Sequence, residues 1–441
     1  MEDAGLDGPL IKPRDLPRRR WRIGILLGVG VLVNYFDRVN LSVAKDALHS
    51  EFGLTTGMFG VLSSAFNWTY GLLQLPMGVL LDRFGIAAVG RIGAFLWCLA
   101  SFGSALSPGI GTFFASRLLL GVGEAPTFPG NAKAVGYWFP RQERSFATSL
   151  FDGAAKFGPA VGVLLVGALT VRFGWRWSFA ATGLISLLFF FAFYVFYRDP
   201  KDDPQLSNQE LAYIRAGGAQ VSDNSSRQAG APLTYLLAQR KVLGLVIGFF
   251  GYNYCFYLLL AWLPTYFSSL HLDPMQSVVY TSVPWLVATA TDLLVGGVLV
   301  DALVRRGYAE TVVRQTVLIG GTILGLALAG AMYTKDPVIA VVWISVALGG
   351  LAAAAPVGWS IPSLIAPRNS VGKVGGILNT GNQIAGALAP IVTGWLVART
   401  NSFGVAFAVA AVVLLVGVCS YLFLLGRIEQ VPEPSLSQPN R

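Results

Sequence analysis

Twelve apolar stretches follow one another along the 441 residues, each long enough to cross a bilayer as a helix, which takes about 17–25 residues. They fall at 22–44, 57–81, 89–106, 112–135, 146–170, 178–197, 242–266, 277–300, 313–333, 337–360, 370–397 and 403–425. Charged residues make up 12% of the chain, half of the roughly 25% usual in soluble domains, and mean hydropathy is +0.60. The chain therefore reads as an all-α membrane protein. A net charge of +9 would point to nucleic acid in a soluble chain, but here the positions of the cations matter more than their sum.

Those positions fix an expected topology. The N-terminal segment, the loops after even-numbered spans and the tail carry 23 of the 32 Lys and Arg, whereas the loops after odd-numbered spans carry five. By the positive-inside rule both termini are expected on the cytoplasmic side. The first 20 residues are polar and end in "RDLPRRR" with no small-residue cleavage site, so no signal peptide is expected. The one long polar connection, 198–241, divides the chain into an N-terminal tail (1–21), a six-helix bundle (22–197), the central loop (198–241), a second six-helix bundle (242–425) and a C-terminal tail (426–441). Within the loop, "SNQE" (Ser207 to Glu210) fits a capping box, which predicts a short helix through "LAYIRAG". Cys98, Cys255 and Cys419 lie in apolar runs and are expected as free thiols. With His49 and His271 the only histidines, a His-clustered metal site is not expected.

The halves look like repeats, which points to a transporter architecture. "GVLLDRFG" (Gly78 to Gly85) closes the second span and "GVLVDALVRRG" (Gly297 to Gly307) closes the eighth. Their Gly-x-x-x-Asp elements place Asp82 and Asp301 at matching positions 219 residues apart. "GVLLDRFG", with Gly78, Asp82, Arg83 and Gly85, resembles the loop 2–3 gating motif of the major facilitator superfamily. "NYFDRVNLS", "RLLLGVGEAPTFPGNAKAVGYWFPRQER", "YLLLAWLPTYF" and "GGILNTGNQIAGALAPIVTG" look like its anion:cation symporter branch, which includes bacterial hexuronate and galactonate transporters and the sialin-type carriers. The resemblance runs from the first span to the twelfth. It implies a major facilitator fold of twelve transmembrane helices in two pseudo-repeat bundles, working by alternating access. One departure is visible: the motif usually continues with paired basic residues after Gly85, where this chain has "IAAVGR", leaving Arg91 to serve.

Four cations, Arg38, Arg117, Lys133 and Lys156, fall inside apolar spans, all in the first half. A charge at the centre of a membrane helix costs about 2.5–3.5 kcal/mol even on lenient scales, so such residues need a purpose. Arg38 lies too deep in its span for easy escape, and its fork of donors suits a carboxylate bidentately. It is read as the substrate anchor, with simple snorkelling the alternative; the resemblance implies the same, because galactonate-type carriers hold the acid with the matching arginine. Asp37 projects about 100° away from Arg38, which suggests a separate job. Arg117 and Glu124 are two turns apart and share a helix face. Arg117 is expected to pair with ionised Asp37, while Glu124, where desolvation favours the neutral acid, carries a transported proton. A permanent cluster that only orients helices is the alternative; the resemblance favours proton coupling by Asp37 and Glu124.

On the fifth span Asp152 and Lys156 are spaced i, i+4 and can neutralise each other, or Lys156 can face the cavity as a second substrate cation. Gly158, Pro159 and Gly162 partly resemble a drug-antiporter signature, which keeps an efflux antiporter as the alternative function. Tyr35, Tyr70, Trp359 and Asn379 sit where the family places ring and hydroxyl contacts to substrate. Asn253 and Tyr254 fall near the seventh-span counterpart of Asp37, and Asp292, deep in the second half, has no assigned role. Gly121, Gly123, Gly375 and Gly376 are read as points of close helix approach, and Pro126, Pro129 and Pro264 as kinks. The function expected is proton-coupled uptake of a small organic anion, foremost a sugar acid, by a monomer in an inner membrane. No cofactor beyond the proton, no metal, no nucleic acid and no enzymatic turnover are expected.

Overall fold

The computed structural model describes residues 17–140, 143–219, 231–367 and 370–433; the side chains of Asp82 and Asp301 lie outside the described residues. Among those residues every regular element is helical. The first span is Arg19–Val43. A 50-residue helix, Thr56–Ala105, supplies the second and third, broken at Gly85, whose φ of 79° and ψ of 164° no side-chain-bearing residue adopts comfortably. Ile110–Glu124 and Thr127–Trp138 form the fourth on either side of Pro126, where the ring removes a helical donor. Arg144–Phe173 and Trp175–Phe196 complete the first half, separated by Gly174 at φ 86°.

The second half runs Arg240–Ser268, Pro274–Thr291, Glu310–Gly325, Pro337–Ile365, Val371–Thr400 and Gly404–Ser420. Asp273-Pro274 and Asp336-Pro337 start the eighth and tenth spans alike. Each aspartate accepts from two backbone N–H groups, and each proline occupies the first turn, where a donor is not needed. The eighth span continues as a π-helix, Asp292–Leu299, and then Val300–Arg305. Among the described residues nine helices are long and apolar enough to cross a membrane by composition. The second, fourth and eleventh are not among them, and these carry Asn67, Gln74, Arg117, Glu124, Asn379 and Gln383.

Within the first half the first span packs on the fifth and sixth; in the second half the seventh packs on the twelfth and the tenth on the eighth and ninth. The halves meet through the second with the eleventh, the fifth with the eighth and the first with the seventh. Asn67 Nδ2 donates to the Gly386 carbonyl at 3.1 Å, Asn379 Nδ2 to Gln74 Oε1 at 2.8 Å, and the Phe59 and Trp262 rings meet edge-on at 4.8 Å. Asn67–Gly386 and Phe59–Trp262 lie from mid-span toward the face opposite the chain termini, and Asn379–Gln74 lies on the termini side of mid-span. Gly121 is needed for close packing, because a Cβ there would collide with the Phe66 carbonyl; Gly375, by contrast, faces open space.

The central connection contains the expected helix, Asn208–Ala216, and Ser207 Oγ accepts from the Glu210 N–H at 3.2 Å. The Glu210 carboxylate does not close the box. It accepts instead from the backbone N–H groups of Arg19 and Arg20 at 3.2 and 3.1 Å and from Arg20 Nη1 at 2.9 Å. The exposed donors at the start of the first span are a stronger attraction than a single N–H at Ser207. Arg19 also holds Asp203, and Arg20 holds Glu143, so the connection is tied to the first half. Glu210→Ala is expected to strip two buried N–H groups and Arg20 Nη1 of their acceptor while Glu143 still neutralises Arg20, costing about 1–3 kcal/mol. A drop in the thermal unfolding midpoint of the purified protein, with faster proteolysis of the central connection, checks it.

Candidate transport site

The first span is buried along most of its length, so its charged pair sits in protein, not lipid. Arg38 Nε donates to Glu124 Oε2 at 2.8 Å, and Nη2 lies 2.7 Å from the same oxygen. Both side chains are almost wholly buried. The guanidinium is enclosed by the rings of Tyr35, Phe66 and Tyr70, with centroids at 4.6, 4.4 and 5.3 Å. Aromatic faces stabilise a desolvated cation by about 2 kcal/mol, which offsets part of the burial cost. Glu124 Oε1 has no hydrogen-bond partner. One carboxylate oxygen thus holds the arginine while the other is unsatisfied, an arrangement that a proton or a conformational change can alter.

Asp37 behaves differently from the expectation. Arg117 Nη1 donates to the Asp37 main-chain carbonyl at 3.2 Å, not to its carboxylate, whose Oδ2 accepts from Ser186 Oγ at 2.8 Å. The 100° step between residues 37 and 38 turns Asp37 toward the sixth span and Arg38 toward the fourth. Glu124 is correspondingly claimed by Arg38, although Arg117 shares its helix face. Asp37 Oδ1 and Arg117 Nε are both buried without a hydrogen-bond partner.

A cavity of about 30 Å³, room for about one water, lies beside Arg38 and Arg117 and is lined also by Ser63, Asn67, Tyr257 and Pro390. Ser63 Oγ, Asn67 Oδ1 and Arg117 Nε, all lacking partners, belong to residues of this lining. It spans the seam between the halves toward the face opposite the termini. Phe66, Asn67 and Tyr257 were absent from the residues picked out by sequence. Asn67 carried a signal, a carboxamide in an apolar run; Phe66 and Tyr257 carried none, since a ring in a membrane span is ordinarily packing.

Lys156 Nζ lies 2.9 Å from Asp152 Oδ2 on its own helix and 2.9 Å from Asp292 Oδ2 on the eighth span. The i, i+4 pair is therefore present, and a second carboxylate from the other half joins it. Asn379 bridges the halves through Gln74, and Gln383 Nε2 donates to it at 3.4 Å. Trp359 stands edge-on to Phe249 at 5.3 Å and is 40% exposed, away from the Arg38 cage. Asn253 donates back to the Phe249 carbonyl of its own helix. Gly158 and Gly162 are accounted for by packing on Tyr35 and Phe36 of the first span. At the loop motif, Gly78 meets no neighbour and Arg83 is exposed beside the Phe84 ring. Arg91 does not take up the role of a loop cation: it donates to the Tyr194 and Tyr197 carbonyls and covers the Tyr194 ring.

A twelve-span helical chain in two halves, with buried cations set against buried acids, defines a membrane transporter. The Major Facilitator Superfamily model matches residues 27–309 and 307–440, and the chain belongs to that family. It is 41% identical over 414 residues to an uncharacterised transporter of Bacillus subtilis (strain 168), covering 93% of this chain and 95% of that protein. It is 33% identical to a probable galactarate/D-glucarate transporter of the same organism, covering 93% of each chain. With a D-galactonate transporter of Escherichia coli O6:H1 the identity is 32%, over 94% of this chain and 97% of that one. Among solved structures, a D-xylose-proton symporter superposes with a TM-score of 0.71 at 19% identity, over 94% and 98% of the two chains. A bacterial homologue of the human lysosomal transporter Spinster gives 0.72 at 16%, over 93% and 99%. The fold is thus that of the superfamily, and the family is one of transporters, not enzymes.

The contact between Ser186 and Asp37 is open to a direct check. Ser186→Ala strips the buried carboxylate of its 2.8 Å hydroxyl donor, with the Thr182 and Ser101 hydroxyls still beside it, and is expected to cost about 1 kcal/mol, seen as a lowered unfolding midpoint; Ser186→Thr, which keeps the hydroxyl, is expected to recover part of it.

Proposed function

We propose that this chain takes up a small organic anion, foremost a sugar acid, by proton-coupled symport with alternating access. The observation that carries the reading is the Arg38–Glu124 pair inside its aromatic cage. A substrate carboxylate suits the same guanidinium, so Glu124 and the substrate compete for one cation. Protonation of Glu124 removes its charge and releases Arg38; loss of the proton returns Glu124 to Arg38 and expels the acid. Coupling follows from that exclusion alone. Relatives over nearly the full length are transporters of galactonate and, probably, of galactarate and D-glucarate, which supports a sugar acid as the cargo.

The remaining parts follow the same logic. Asp37, with one oxygen on Ser186 and one unpartnered, is a second carboxylate able to take a proton, and Arg117 holds its backbone in place. Tyr35 and Tyr70 present their rings to Arg38; Asn379, with Gln74, and Lys156 meet the seam where the halves part; Trp359 borders the side facing the termini. Asn67–Gly386 and Phe59–Trp262 join the halves toward the opposite face, which supports reading this conformation as a stage facing the cytoplasm, with both termini on that side of the cell membrane. A monoanion moving with one proton is electroneutral and gains about 1.4 kcal/mol per pH unit; a second proton adds about 2.3 kcal/mol per 100 mV.

Purified protein in liposomes, given labelled galactonate, glucuronate, galactarate and an aromatic acid with and without an inward proton gradient, tests the assignment. Accumulation of a sugar acid driven by the gradient is expected; gradient-driven loss of preloaded compound instead would make the chain an antiporter. Arg38→Ala is expected to cut uptake more than about a hundredfold, the counterpart of losing a buried charge partner worth about 3–5 kcal/mol. Glu124→Gln is expected to keep substrate exchange between the two sides while losing accumulation against a gradient.

A further inference from the structure

Lys156 has two carboxylate partners where one suffices. Asp152, one turn earlier on the same helix, already neutralises it at 2.9 Å. Asp292, from the other half, stands equally close and is 3% exposed. Among the described residues this is the one ion pair that joins the two halves. A surplus buried carboxylate is costly unless it serves something. Asp292 also opens the π-helical stretch Asp292–Leu299, a local distortion that often marks functional positions.

The pair repeats the relation seen at Arg38: a buried cation of the first half occupied by an internal acid. The two cations share a wall. Tyr35 covers the Arg38 guanidinium at 4.6 Å and also lies within electrostatic reach of Lys156. The groups facing this second cluster are Asp152 from the fifth span, Asp292 from the eighth, Tyr252 from the seventh and Tyr35 from the first.

We propose that Asp292 is a displaceable competitor for Lys156, so that the second acid group of a dicarboxylate bound at Arg38 takes its place and releases the tie between the halves. Asp292 then sets specificity: an acid with two anionic ends exchanges both internal pairs, and an acid with one exchanges only Glu124. This rests on the sugar-acid reading above and adds to it a preference for diacids and a role for Asp292.

The test is the ratio of half-saturating concentrations for galactarate and galactonate, measured by uptake into liposomes holding the full chain. Lys156→Gln is expected to raise the galactarate-to-galactonate ratio roughly tenfold or more, the loss of one charged anchor. Lys156→Arg, which keeps the cation, is expected to hold the ratio near that of the unmodified chain. Asp292→Asn is expected to lower it severalfold, because the competitor is gone. A purely structural triad would move both acids together, so an unchanged ratio in Lys156→Gln and Asp292→Asn with uptake intact overturns the proposal and leaves the sugar-acid reading standing. Should Lys156→Gln fail to fold, Asp292→Asn and Lys156→Arg decide alone, Asp292→Asn by shifting the ratio or not. Uptake of neither acid by the unmodified chain removes both readings.

Discussion

An arginine at the middle of a membrane protein is sustained here by one carboxylate oxygen and three aromatic rings. The surrounding architecture answers to that pair. The first span is placed among other helices so that Arg38 meets protein and not lipid; the fourth breaks at Pro126 immediately after Glu124; and the second brings Phe66 and Tyr70 onto the guanidinium. A buried pair of this kind contributes little net stability, because desolvation consumes most of the attraction. Its worth lies in being exchangeable: either charge left alone is expensive, so whatever releases one partner must supply another. That condition is what a carrier needs to make the movement of an acid depend on a proton.

The two halves divide the labour unequally. The first holds Asp37, Arg38, Arg117, Glu124 and Lys156, and the second offers mainly uncharged polar groups, Asn379 and Gln383, with aromatic surface at Tyr252, Phe256 and Tyr257. Electrostatic switching within one half and a neutral face on the other keep the seam free to open, since hydrogen bonds and ring contacts cost less to part than buried ion pairs. Asp292 breaks that pattern. A charge reaching across the seam to Lys156 fixes the halves until something replaces it. The central connection adds a different kind of tie: Glu210 takes the exposed N–H groups at the head of the first span, where the helix dipole favours an anion.

Much of this was legible in the chain. Apolar run length and the one long polar connection gave twelve spans in two halves, because hydrocarbon thickness acts on each segment separately. Charges inside those runs marked Asp37, Arg38, Arg117, Glu124 and Lys156, since nothing else justifies their cost. Pairing was less legible. Arg117 sits on the same face as Glu124, yet Glu124 faces Arg38; Arg117 meets the Asp37 carbonyl while Ser186, 149 residues away in sequence, takes the carboxylate. The "SNQE" pattern located the cap at Ser207 but not the partner of Glu210, whose donors lie 190 and 191 residues earlier. Phe66 and Tyr257 gave no warning at all.

The sequence by itself determined the number of spans, their order, the family and which side chains are too costly to be idle, for these depend on transfer energies and helix spacing that a local segment carries within it. Only the tertiary structure decided which acid holds which cation, that three rings surround Arg38, and that Asp292 of one half reaches Lys156 of the other. Those choices rest on how helices rotate and slide against one another. Over a few ångströms that packing decides which of several buried acids lies within reach of a guanidinium or an ammonium, and no spacing along the chain encodes it.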